Sequence, residues 1–86
     1  MGRLTFSDHA WEDYLWWQRE DRAVLKRINR LIEDAMRDPY TGIGKPEPLK
    51  FTLAGAWSRR ITEEHRMVYV PRSQGIDIAA LRYHYR

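Results

Sequence analysis

The chain contains no cysteine, which excludes a disulfide scaffold and any thiolate metal site and fits a reducing compartment. Long apolar runs are also lacking: the uninterrupted stretches are short, against the ~20 residues a membrane helix requires. No charged-then-apolar leader precedes a small-residue cleavage site. Met1-Gly2 invites N-myristoylation, but Phe6 stands where that motif requires Ser or Thr. A cytoplasmic location is therefore expected, with no membrane partner. Metal and cofactor signatures fail as well. Glu63-Glu64-His65 lacks the second histidine of a zinc-protease helix, the carboxylates do not match a calcium loop, and Gly42-Ile43-Gly44-Lys45 is too short for a phosphate loop and leads into no helix. The expectation is no metal and no cofactor. Nor is there an alternating aromatic-basic RNA-binding motif, so the five tyrosines and four tryptophans read by default as core or interface. Trp16-Trp17, on a polar-flanked helix, is expected to leave one ring exposed as a partner surface.

What is present is a sequence of 86 residues, 43% apolar and 31% charged, a balance that reads as globular rather than disordered. That length accommodates one core, so a single domain over residues 1–86 is expected. The net charge of +3 is unevenly spread. Residues 1–38 carry seven Lys+Arg and eight Asp+Glu, whereas residues 39–86 carry eight and four. A positive excess attracts polyanions, although this one is small enough for a basic domain with no anionic partner.

Leu4-Thr5-Phe6 reads as a short strand, with Ser7 as the cap of a following helix that carries Ala10, Trp11, Tyr14, Leu15 and Trp17 at largely helical spacing. Asp21 is the next cap. Beyond it Val24, Ile28, Leu31, Ile32 and Ala35 form one apolar stripe, and Asp38-Pro39 ends the helix. Residues 39–48 hold three prolines and two glycines and read as a loop. The period then changes from 3.6 to 2, with strands expected over 49–53, 57–62, 65–70 and 76–83 and turns at Ala54-Gly55, Glu63-Glu64 and 71–75. The fold class is α+β in the order β-α-α-β-β-β-β, a two-helix hairpin packed on a twisted, mainly antiparallel sheet whose other face is partly open.

The second half places a carboxylate, several fixed cations and an imidazole at predicted strand ends. Such a set suits phosphodiester chemistry: a general base for a ribose 2′-hydroxyl, guanidinium groups for the charge growing on phosphorus oxygens, and an imidazolium for the leaving oxygen. Glu47 lies between Pro46 and Pro48, whose rings restrict the backbone around it. Each residue also has a plainer account. Glu47 can be an idle loop carboxylate, Arg59 a solvated charge or a partner of Glu63, Arg66 a balance for Glu64, and His84 a surface histidine; His9 and His65 receive no role. Register is open. A two-residue turn at Glu63-Glu64 sets Arg60 opposite Met67 and sends Arg60 and Arg66 to opposite faces, while one added loop residue or a bulge unites them. His84 and Tyr85, as consecutive strand residues, serve one site only if the chain leaves strand geometry at its end.

Gly44-Lys45-Pro46-Glu47-Pro48-Leu49-Lys50, Leu53, Gly55, the run Trp57-Ser58-Arg59-Arg60-Ile61-Thr62-Glu63-Glu64-His65-Arg66, and Arg82-Tyr83-His84-Tyr85 together resemble the YoeB (Txe/YoeB) toxins of bacterial toxin-antitoxin systems, within the RelE-like group. The likeness extends to Trp11-Glu12-Asp13-Tyr14. It implies a fold like that of small microbial ribonucleases and a toxin that cleaves messenger RNA in the ribosomal A site, held inactive by a YefM-type antitoxin. It implies Glu47 as general base, Arg66 as main transition-state stabiliser, His84 as general acid with Tyr85 beside it, and Lys50 and Arg60 as accessory basic groups. Arg59 joins Lys50 and Arg60 in the expected RNA- and phosphate-binding set. Gly2 and Arg86 depart from the family pattern. A catalytically silent module that blocks the ribosome or acts as corepressor is the alternative, and a homodimer through exposed tryptophans is compatible with both.

Overall fold

The computed structural model describes residues 2–50 and 53–83. Two helices cover one face of a five-stranded sheet. Strand β1 spans Arg3–Phe6, helix α1 Asp8–Glu20, helix α2 Arg22–Arg37, and strands β2 to β5 span Glu47–Pro48, Trp57–Arg60, Arg66–Arg72 and Gly75–Ala80. The sheet order is β1-β5-β4-β3-β2. Only the β1–β5 pairing is parallel among these; the other three are antiparallel. This is the expected α+β architecture.

The helix caps are those the sequence indicates. Ser7 accepts the Ala10 amide on its hydroxyl at 3.0 Å, and Asp21 accepts the Ala23 and Val24 amides at 3.1 and 3.2 Å, satisfying donors that a helix start otherwise leaves bare. The α2 stripe of Ile28, Leu31, Ile32 and Ala35 is buried against Met67, Tyr69, Ile76, Ile78 and Leu81. A smaller cluster of Ala56, Val68 and Ala80, flanked by Leu49 and Leu53, is separate from that core. Trp17 is buried and Trp16 partly so, and the exposed tryptophan is instead Trp11, at 49%. Its ring stacks on Tyr14, with planes 9° apart.

Strand β3 ends at Arg60 rather than Thr62, and the boundaries differ more from the sequence expectation in three other places. The strand placed at 49–53 is replaced by β2 at Glu47–Pro48, paired with Trp57–Ser58; of the expected segment, Phe51 and Thr52 lie outside the described residues. Pro48, with no N–H, is tolerated because β2 is a sheet edge. Strand β4 runs through Pro71, which pairs with Ile76, because β3 stops at Trp57 opposite Tyr69 and leaves that stretch of β4 without a β3 neighbour. Strand β5 ends at Ala80. There the Leu81 N–H donates to Asp13 Oδ2 at 2.9 Å and its carbonyl accepts from Trp17 Nε1 at 2.8 Å, so α1 side chains take over the backbone groups. Among the described residues no helix is long and apolar enough to cross a membrane.

Candidate active site

The site is built on the β3–β4 ladder. Its register pairs Trp57 with Tyr69, Ser58 with Val68, Arg59 with Met67 and Arg60 with Arg66. Directly opposed residues share a face, so Ser58, Arg60, Arg66 and Val68 lie on the face away from the helices, and Trp57, Arg59, Met67 and Tyr69 on the helix face. Of the two registers left open by the sequence, the one uniting Arg60 and Arg66 is realised. The reason is local. Thr62 Oγ1 accepts the Glu64 and His65 amides at 3.2 and 3.1 Å, and the Ile61 N–H reaches the His65 carbonyl at 2.9 Å, so residues 61–65 close a loop between the paired arginines in place of a two-residue turn at Glu63-Glu64.

Glu47 joins this face by pairing with Ser58. Arg66 Nη1 donates to Glu47 Oε1 at 3.1 Å and to Ser58 Oγ at 3.1 Å. The Glu47 side chain is 56% exposed and that of Arg66 16%, so the carboxylate is open to a ligand while the guanidinium is held from below. Arg60 is exposed at the end of β3, directly across from Arg66. Lys50 is exposed three residues beyond Glu47. The result is one carboxylate with cations around it on an open sheet face.

Arg59 requires correction. Expected at the phosphate, it is 0% exposed and lies on the opposite face. Its five N–H donors meet five acceptors: Nε to the Tyr69 hydroxyl at 3.0 Å, Nη1 to Asp34 Oδ2 at 2.6 Å and the Ile43 carbonyl at 3.1 Å, and Nη2 to the Asp38 and Thr41 carbonyls at 2.7 and 2.9 Å. A guanidinium with every donor engaged has none left for phosphate. Arg59 instead ties α2 to the loop that delivers Glu47. The Ile43 N–H, first, and then the Arg59 guanidinium hold the Asp34 carboxyl below its ordinary value, and Asp34 also pairs with Arg37. The Tyr40 N–H and Thr41 hydroxyl lower Asp38, while burial raises the Tyr69 phenol, which donates to the Pro39 carbonyl at 2.6 Å. Gly42, Gly44 and Lys45 take φ of 121°, 81° and 51°, and the Gly44 carbonyl accepts the Arg60 amide at 2.7 Å, docking the loop on β3.

Strand β5 has given way by Leu81; His84 and Tyr85, expected as the acid and its neighbour, lie outside the described residues. Ser58 and His65 are the residues that sequence reasoning missed. His65 is 9% exposed, its ring edge-on to Trp17 and tilted against Tyr83, with centroids 4.9 and 4.8 Å away.

This fold, with two helices on one side of a five-stranded sheet, is that of the RelE-like bacterial toxins. It extends to the YafQ toxin in a DinJ-YafQ complex of Escherichia coli at 16% identity and a TM-score of 0.72, a likeness of fold alone. A family model described as "YoeB-like toxin of bacterial type II toxin-antitoxin system" matches residues 6–85. A toxin YoeB of Streptomyces coelicolor is 58% identical over 96% of this chain and 99% of its own. A YoeB/ParE toxin structure from Agrobacterium tumefaciens has a TM-score of 0.90 at 47% identity, covering 96% of this chain and 99% of that one. A YoeB-YefM complex from Staphylococcus aureus has a TM-score of 0.88 at 44% identity, covering 99% of each chain, and YoeB of that organism is also known as a dimer. The chain belongs to the YoeB-like toxin family: it is the toxin of a toxin-antitoxin system.

Proposed function

We propose that this toxin is a ribosome-dependent endoribonuclease, acting as one domain in the cytoplasm, which cuts messenger RNA in the A-site codon and is neutralised by a YefM-type antitoxin. The observation that carries the reading is the Glu47–Arg66 contact on the exposed sheet face, with Arg60 directly across the ladder. The S. aureus YoeB-YefM complex supports the antitoxin, and the YoeB dimer of the same organism supports a homodimer.

In the proposed reaction Glu47 accepts the proton of a ribose 2′-hydroxyl, the 2′-oxygen bonds to phosphorus, and the bond to the 5′-oxygen breaks as His84 protonates that oxygen. Arg66, with Arg60 and Lys50, holds the charge that grows on the non-bridging oxygens. Tyr85 stands beside the acid in sequence and orients it or the substrate. The products are a 2′,3′-cyclic phosphate and a 5′-hydroxyl, and no metal is required to balance the step. In the resting protein Arg66 holds the base by its Oε1 and is itself held by Ser58, so base and stabiliser are oriented before substrate arrives.

The test maps RNA ends on a short message incubated with empty-A-site programmed ribosomes, without ribosomes, and with ribosomes plus Glu47→Ala. Cuts in the A-site codon that need both ribosomes and Glu47 and leave cyclic-phosphate ends are the expected result. Translation arrest without any cut would replace this reading with that of a silent ribosome-binding module.

A further inference from the structure

The last described residues, Leu81 to Tyr83, have left the sheet, and groups from α1 and from the start of β4 hold their backbone. Asp13 and Trp17 of α1 take the N–H and carbonyl of Leu81. Tyr83 is held from the β3–β4 side: its N–H donates to His65 Nδ1 at 2.7 Å, and its carbonyl accepts the Arg66 amide at 3.2 Å. Tyr83 has φ of 59°, a left-handed conformation that a non-glycine residue keeps only when its surroundings impose it. Between the two, the Arg82 guanidinium lies over Trp16, 3.8 Å from the ring centroid. The anchors therefore grip the peptide immediately before His84. One of them, His65, adjoins Arg66, whose guanidinium reaches Glu47 on the open face.

We propose that His65 is a positioning residue of the cleavage reaction: by accepting the Tyr83 N–H on Nδ1, it fixes the peptide that leads into the general acid His84. This rests on the ribonuclease reading and deepens it. The bond requires the Nδ1 lone pair, which an apolar ring of the same size does not supply. A histidine kept only for packing against Trp17 would be replaceable by phenylalanine at no catalytic cost. A histidine kept for its acceptor would not, whereas asparagine, whose side-chain oxygen reaches roughly where Nδ1 lies, would restore function despite losing the ring. The effect belongs to kcat, because the acid acts on the leaving oxygen after substrate is bound, and a misplaced reacting group costs on the order of 10²-fold.

The experiment compares wild type, His65→Phe and His65→Asn in the ribosome-programmed cleavage assay, together with amide hydrogen exchange of Tyr83 by NMR on the whole protein. For His65→Phe the expected result is a kcat lower by roughly 10- to 100-fold with KM unchanged and faster exchange at Tyr83. His65→Asn should recover most of both. Unchanged Tyr83 exchange in His65→Phe would overturn the inference, as would lost protection with wild-type kcat, or a loss of kcat in the two variants that merely follows their loss of thermal stability. A wild-type protein that cuts no RNA would overturn the ribonuclease reading itself, and the role assigned to His65 with it, whatever the exchange rates show.

Discussion

Arg59 and Arg60 are adjacent in sequence and serve opposite faces of the sheet. Arg59 is fully buried between α2 and the 38–43 loop, while Arg60 is exposed opposite Arg66. Substitution should separate them cleanly. Arg59→Met removes the buried member of the Asp34 pairing and leaves that carboxylate only the exposed Arg37 and the Ile43 N–H; breaking a buried pair costs about 3–5 kcal/mol, and thermal denaturation should show a much lower midpoint. Arg60→Ala removes an exposed side chain and should change stability by within about 0.5 kcal/mol while slowing RNA cleavage.

For Glu47 and Arg66 the expectation is the reverse of that for Arg59. Losing a general base costs roughly 10²- to 10⁴-fold in rate and losing a charge-stabilising donor roughly 10²- to 10³-fold, whereas an ion pair whose carboxylate is 56% exposed contributes little to folding. Glu47→Ala and Arg66→Ala should therefore fold as wild type and fail in single-turnover cleavage. Wild-type rates in both would remove this face from the chemistry.

Acid should weaken the loop that delivers Glu47. The Asp34 carboxyl is held below its ordinary 3.8 in the folded chain, chiefly by the Ile43 N–H and then by Arg59. The folded state thus binds fewer protons than the unfolded one in that range. Its contribution to stability is complete above pH 3.8 and is lost as pH falls below that value through the folded pKa. Asp38, lowered by the Tyr40 N–H and Thr41 hydroxyl, adds in the same direction. Urea denaturation as a function of pH should show the decline in wild type and a shallower one in Asp34→Asn.

Gly42 has φ of 121°, and a Cβ there would be driven into the Asp34 carboxylate. Gly42→Ala should lose about 1–3 kcal/mol from backbone strain alone, with a further loss as the carboxylate is displaced from Arg59. Chemical denaturation measures the first, and the loss of the pH dependence described for Asp34 reports the second.

The helices and their caps were legible because each signal is local: Ser7, Asp21 and the α2 stripe act within a few residues of where they stand. Glu47, Lys50, Arg60 and Arg66 could be named as a group from their residue types and from the family resemblance. The common face of Glu47, Arg60 and Arg66 could not, because it depends on a threonine hydroxyl that closes a five-residue loop, and a one-residue change in that loop inverts every side chain of β4. Arg59 was misjudged for a related reason. In an alternating strand a buried and an exposed arginine look alike, and only the partner tells them apart. That partner left a trace, since Asp34 stands beside Leu31 and Ala35 on the buried side of α2, where an acidic residue calls for a buried cation. The anchoring of Tyr83 by His65 left none, because it joins residues 18 apart through a backbone amide.

The parallel pairing of β1 with β5 governs where a handle can be fixed to this protein. Arg3 lies beside Gly75 and Phe6 beside Ile78, so the chain enters the sheet at the end where β5 begins and heads for its C-terminus from the end where β5 stops. Six residues of strand set these points roughly 20 Å apart. An affinity tag or fluorescent fusion ahead of Arg3 emerges at the far end from the anchored Leu81–Tyr83 segment. One appended after the last residue would hang directly from the tail that carries His84, and a protein labelled there would be a poor witness to the toxin's activity.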